Sequence, residues 1–274
     1  MENNLILEHR QCLVAGDGAL PVAMAKSAVE NGFEIVCISL SSDNYKELKK
    51  YCSKVVSFGP GQVDSIKQFL IDEKIKQLTF LGKVSKTMLI KRPKLEKTAI
   101  DVLKEMRKLN DDAIMLKIIE HMENIGITIL DQTIFIKNLM VQKGVLTKTL
   151  PTDAQNASIE YGYKIAKEMG GLDIGQSVVI KDRMIMAIEA IEGTDKCIKR
   201  GGKLAGRKNA VVVKVSKPSQ DKRFDIPAVG LKTVKIMKHY GANVLALESG
   251  ETIIVDQEAM IDYANKHNIV IMAL

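Results

Sequence analysis

Tryptophan is absent from these 274 residues, and aromatic side chains make up only 4%. That leaves little material for the stacking platforms that hold single-stranded nucleic acid. Cysteine is sparse as well. Cys12, Cys37, Cys52 and Cys197 show no Cys-x-x-Cys spacing, so neither a disulfide framework nor a zinc site is indicated. A reducing cytoplasm is the expected compartment. The histidines, His9, His121, His239 and His267, are scattered without metal spacing, which argues against a dimetal phosphoesterase built on imidazole. A Gly-x-Ser-x-Gly elbow is missing, as is any Ser-His-Asp or Cys-His arrangement. No apolar run reaches transmembrane length, and Met1 to Gln11 holds only Leu5-Ile6-Leu7, too little for a signal peptide. Membrane contact, if made, is expected to be peripheral.

What is present is an ordinary soluble composition, 46% hydrophobic and 27% charged, in a chain long enough for two modest cores. The net charge of +7 favours anionic partners such as phosphates, nucleic acid or an acidic membrane surface. Residues 1–133 alternate strands (Gln11–Ala15, Phe33–Ser39, Val55–Phe58, Gln77–Leu81, Ile127–Leu130) with helices (Pro21 to about Asn31, Val63–Glu73, Leu95–Leu109, Asp112–Asn124). Asn110 or Asp111 is a candidate cap for the last helix. This rhythm predicts an α/β fold, with a Rossmann-like parallel-sheet domain first. Residues 134–155 lose the rhythm and read as a linker. Residues 156–274 read as a mixed α/β domain: a helix over Asn156–Met169, a hairpin across Lys181-Asp182-Arg183, a strand over Ala210–Val215, and further strands and helices to the end.

Four places carry candidate chemistry. Lys214 to Pro227 packs Lys214, Lys217, Lys222, Arg223, Asp221 and Asp225 into a run bounded by Pro218 and Pro227. It follows an apolar strand and cannot itself be a regular element, so it is expected as a loop at a strand end, where α/β proteins place ligands. Cations there can hold phosphate, and a carboxylate can hold magnesium or take a proton from water. Gly16-Asp17-Gly18 lies between a strand and the helix opened by Leu20 and Pro21. It offers backbone N–H groups to a phosphate, but Pro21 stands where a dinucleotide fingerprint has glycine. Gly82-Lys83, with Lys86 beyond, is a second strand-end turn expected on the same rim. In the second half, Glu189, Glu192 and Asp195 surround a glycine turn. Three carboxylates repel unless balanced by cations or a metal, and oxygen-only ligands favour magnesium over zinc. Helix capping by Thr194 or Asp195 accounts for part of this group.

The ordered motifs Leu172-Asp173-Ile174-Gly175-Gln176, Ala187 to Asp195 (with Thr194), Lys217 to Pro227 (with Gln220) and Gly230 resemble one family. Gly18, Leu20, Pro21, Leu81-Gly82-Lys83 and Asp111-Asp112 extend the likeness over nearly the whole chain. The family is that of the non-calcineurin UDP-2,3-diacylglucosamine pyrophosphatases of lipid A biosynthesis. The linker departs from its pattern, keeping only the Gly, Leu-Thr and Pro of Gly144 to Pro151. The resemblance implies a two-domain, dimeric cytoplasmic enzyme, peripheral to the inner membrane. It would use magnesium to release UMP and 2,3-diacylglucosamine 1-phosphate by attack at the β-phosphorus. It matches the essential aspartate to Asp225. Asp221, Glu189, Glu192 or Asp195 would complete the magnesium shell, and Lys217 and Arg223 would neutralise phosphoryl charge. Gly18, Leu20, Pro21, Gly82, Lys83, Asp173, Gln176, Thr194 and Gln220 are the substrate-binding candidates. A nucleotide-binding oxidoreductase, or a non-enzymatic protein that binds anions or nucleic acid, is the alternative. The oxidoreductase leaves the C-terminal acidic group unexplained, and the non-enzymatic binder predicts steeply salt-dependent binding without turnover.

Overall fold

The computed structural model describes residues 6–84, 94–105 and 111–274, which form two units. The first comprises the chain up to Ile136 together with Lys222–Asp225, and the second Lys137–Asp221 and Ile226–Leu274. Lys86, the end of the helix expected to reach Leu109, and the candidate cap Asn110 lie outside the described residues.

In the first unit β1 (Arg10–Ala15), β2 (Glu34–Ser39), β3 (Lys54–Ser57), β4 (Gln77–Leu81) and β5 (Thr128–Ile129) form a wholly parallel sheet of order β3-β2-β1-β4-β5. β1 and β2 are buried almost end to end, as sheets covered on both faces demand. The helices are α1 (Leu20–Glu30), α2 (Tyr45–Leu48), α3 (Val63–Asp72), α4 (Lys97–Glu105) and α5 (Asp111–Glu123). Pro21 sits in the first turn of α1, where its missing N–H is harmless. The strand order reverses between β1 and β4, and their carboxyl ends form the switch point where such sheets open a ligand crevice.

The second unit holds a mixed sheet of order β6-β13-β11-β9-β7-β8, from β6 (Gly144–Val145), β7 (Ser177–Lys181), β8 (Met184–Ile188), β9 (Ala210–Lys214), β11 (Ala242–Leu247) and β13 (Val270–Ala273). β9, β11 and β13 run parallel, while β7, β8 and β6 run antiparallel to their neighbours. β10 (Ala228–Gly230) and β12 (Ile253–Val255) pair separately. The helices are α6 (Asp153–Gly171), α7 (Thr194–Leu204), α8 (Leu231–Tyr240) and α9 (Gln257–Lys266). α6 starts three residues earlier than its periodicity indicates. Thr152 and Gln155 form a capping box there, each side chain accepting from the other's backbone N–H. The stretch 134–155 thus carries strand β6 and the start of α6 as well as irregular chain. No described helix is long and apolar enough to cross a membrane.

Candidate active site

In the first unit the loops after β1 and β4 are stitched together at the switch point. Gly16 N–H donates to Leu81 O at 2.8 Å, Asp17 N–H to Lys83 O at 2.8 Å, and Lys83 N–H to Asp17 O at 2.9 Å. The approach is so close that a Cβ on Gly16 would lie 2.6 Å from Lys83 O. One on Gly82, whose φ is +95°, would lie 2.8 Å from Asp17 O. Only glycine meets both demands at Gly82. Asn44 Nδ2 donates to Gly16 O at 3.0 Å and Gly18 O at 2.6 Å, which fixes the turn ahead of Leu20 and Pro21.

The segment Lys222–Asp225 docks against this same unit. Lys222 O accepts from Gln132 N–H at 2.9 Å, and Arg223 Nη1 donates to Glu123 Oε1 at 3.1 Å. Phe224 packs on the core that contains Leu78, Ile119 and Met122. Asp225 is thereby held on the wall of a 560 Å³ cavity, together with Gly16, Gly82, Lys83 and Gln132. Most of the remaining wall is apolar, including Ile66, Leu95, Ala99, Val102, Met115 and Ile118. Two helices that wall it cap each other: Thr98 N–H donates to Asp64 Oδ2 at 3.0 Å, and Ser65 N–H to Glu96 Oε2 at 2.8 Å. Burial pushes the Asp64 carboxyl up, but the hydrogen bonds from Thr98 outweigh it and hold the group below the usual carboxylate range.

In the second unit one sheet edge gathers the polar residues. The register pairs Ser177 with Lys214 and Leu247 with Lys214, so Gln176, Glu189, Ser216 and Glu248 all emerge at the carboxyl end of β9 and β11. Lys214 and Glu189 are only 5% and 8% exposed. They are joined through Thr194: Lys214 Nζ donates to Thr194 Oγ1 at 2.9 Å, and that hydroxyl donates to Glu189 Oε1 at 2.9 Å. Among the described residues, the buried acceptors Glu189 Oε2 and Gln176 Oε1 meet no donor. Lys217 Nζ pairs with Asp173 Oδ1 at 2.8 Å, and Lys217 N–H donates to Gln220 Oε1 at 2.9 Å.

The predicted site residues therefore fall into two groups. Gly18, Leu20, Pro21, Gly82, Lys83, Arg223 and Asp225 belong to the first unit; Asp173, Gln176, Glu189, Glu192, Thr194, Asp195, Lys217, Gln220 and Asp221 belong to the second. The three carboxylates around Gly193 diverge. Glu192 pairs with Arg200 and accepts from Ala190 N–H at 3.1 Å, closing its own turn. The Arg200 hydrogen bond holds its carboxyl below the ordinary range. Asp195, in the first turn of α7, pairs with Lys232 at 2.8 Å. Among the described residues no three acidic, His or Cys side chains converge as a metal site. Sequence reasoning passed over Gln132 and Glu248. Glu248 directly follows the apolar strand β11, the same signal that marked the charged loop after β9.

Two family models cover the chain: the LpxI N-terminal domain over residues 10–139 and the LpxI C-terminal domain over residues 142–272. UDP-2,3-diacylglucosamine pyrophosphatase LpxI of Caulobacter vibrioides is 30% identical over 263 residues, covering 92% of this chain and 93% of that protein. Solved structures overlap far less. A UDP-glucose 4-epimerase from Thermotoga maritima with UDP-glucose is 14% identical over 43% of this chain and 35% of its own, with a TM-score of 0.30. A biotin carboxylase domain from Hydrogenobacter thermophilus is 13% identical over 71% and 41%, with a TM-score of 0.27. Likenesses of that size carry no argument.

Proposed function

We propose a division of labour for this site from the premise that the chain belongs to the LpxI family of UDP-2,3-diacylglucosamine pyrophosphatases. It hydrolyses the pyrophosphate bond of UDP-2,3-diacylglucosamine in lipid A biosynthesis. Whichever phosphorus takes the water, opening that bond leaves UMP and 2,3-diacylglucosamine 1-phosphate.

The carrying observation is a carboxylate and a lysine in the wall of a largely apolar cavity within the first unit. Asp225 orients the attacking water and accepts its proton. Lys83 and the backbone of the Gly82 turn face the phosphoryl oxygens. The apolar interior, of a volume typical for ligand pockets, takes an acyl chain, each buried methylene contributing about 0.8 kcal/mol. Arg223 is partly neutralised by Glu123 and screens charge less than the sequence led one to expect.

Magnesium fits this reading through Asp225. Among the described residues no thiol or imidazole lines the cavity, so its polar groups suit a hard cation. Such an ion is commonly held by one or two carboxylates plus substrate phosphates, and that arrangement does not require Glu192 or Asp195. When bound, it would offset negative charge on the phosphate oxygens. Peripheral contact with an anionic membrane is supported by Leu172 and Ile191, 72% and 95% exposed, in a chain of net charge +7.

The test is Asp225→Ala, assayed for UMP release with its fold verified by circular dichroism. A loss of about two orders of magnitude or more is expected, and near-wild-type turnover would sink the assignment. Hydrolysis in ¹⁸O-water should label the sugar 1-phosphate if the β-phosphorus is attacked, and UMP if it is not.

A further inference from the structure

We propose that Glu248 is a positioning residue that grips the root of the loop carrying Lys217, Gln220 and Asp221; this rests on the reading of that loop as part of the active site. Glu248 follows β11 directly, beside the end of β9, and its side chain is 14% exposed. Its carboxylate accepts from Tyr163 Oη at 2.9 Å, from Lys167 Nζ at 3.0 and 3.1 Å, and from Ser216 N–H and Oγ at 2.8 Å each. Lys167 Nζ also donates to Ser216 O at 2.9 Å. Both backbone polar groups of Ser216 are thus held by the two members of one ion pair.

This grip is more than the end of a strand needs. The ladder finishes earlier, with Val215 N–H donating to Gln176 O at 3.0 Å, and water could satisfy Ser216 at a sheet edge. Beyond Ser216 no strand or helix forms until Ala228, so no ladder holds the root of the loop and side-chain anchors there help to place it. Charge-assisted hydrogen bonds are the stronger and more directional kind available. α6 adds a floor: Tyr163, Lys167 and Gly170 share one face. A Cβ on Gly170 would lie 3.2 Å from Lys217 Cα. Burial pushes the Glu248 carboxyl up, but hydrogen bonds from Lys167, Ser216 and Tyr163 outweigh it and keep the group ionised at neutral pH. Releasing Ser216 leaves Lys217 and Gln220 attached to the fold but displaced, and a displacement of about 1 Å costs about 10²-fold in rate.

Glu248→Gln keeps the shape of the side chain and removes the charge. It should lower kcat at least about tenfold while KM stays within about threefold, read at a temperature where the variant is fully folded. Glu248→Gln with Lys167→Met removes the unpaired cation as a cause of instability and should leave kcat low. A kcat close to wild type in either variant, or a KM that rises in step with the loss, overturns the proposal. Asp225→Ala is run alongside. If it stays active, the active-site reading fails, whereas an inactive Asp225→Ala with an unimpaired Glu248→Gln sinks only the positioning role.

Discussion

Replacing Ala99 by phenylalanine tests where the acyl chain lies. Ala99 is in the first half of α4, is 7% exposed, and lines the 560 Å³ cavity. A benzyl group placed there enters existing space rather than packed core, so the overpacking cost of about 1–3 kcal/mol should be largely avoided. The ring would displace about four acyl methylenes, and at about 0.8 kcal/mol each that removes about 3 kcal/mol of binding. Since every 1.4 kcal/mol is about tenfold, kcat/KM for a long-chain substrate should fall about 10²-fold. A UDP-sugar bearing acetyl groups has no chain to displace and should be turned over as by the wild type. The assay is UMP release across a series of acyl lengths, with melting temperatures recorded for both proteins. An equal loss on long and short chains, or no loss on either, would refute the placement.

Gly82→Ala puts a Cβ 2.8 Å from Asp17 O at a φ of +95°. It should destabilise the fold by about 2 kcal/mol and depress turnover by moving Lys83, both measurable by urea denaturation and UMP release. Glu73 joins Lys54 and Arg10 at 2.5 Å each, and hydrogen bonds from Lys54 and then Arg10 hold its carboxyl below the usual range. A depressed carboxylate stabilises the fold above its unfolded pKa of about 4.3, and that contribution disappears as pH falls through the folded value. The gap in urea midpoint between wild type and Glu73→Gln should therefore be constant at neutral pH and shrink below about pH 4. A gap independent of pH contradicts the pairing. Manganese, used as a paramagnetic probe for the proposed magnesium site, should bind the wild type with UDP-sugar present and weaken in Asp225→Ala. Unchanged binding in that variant would place the metal elsewhere.

The first sheet was legible because each of its longer strands is an apolar run bounded by polar turns, and buried parallel strands demand such runs. The charged stretch after β9 was legible as a loop for a local reason too: its prolines forbid a regular element. What joins distant parts of the chain was not legible. Lys222–Asp225 belongs with the first unit through its bond from Gln132 and the packing of Phe224, and no periodicity near either residue announces that contact. The acidic group shows the same limit in reverse. Glu189, Glu192 and Asp195 are neighbours in sequence, yet the turn before α7 and the first turn of that helix aim them at Thr194, Arg200 and Lys232. Closeness along the chain puts carboxylates in one region, but the partner each one meets is decided by packing. Glu248 carries a local sign, because it directly follows the apolar strand β11, whereas Asp225 lies well past the end of β9 and owes its place to the long-range contacts of its segment.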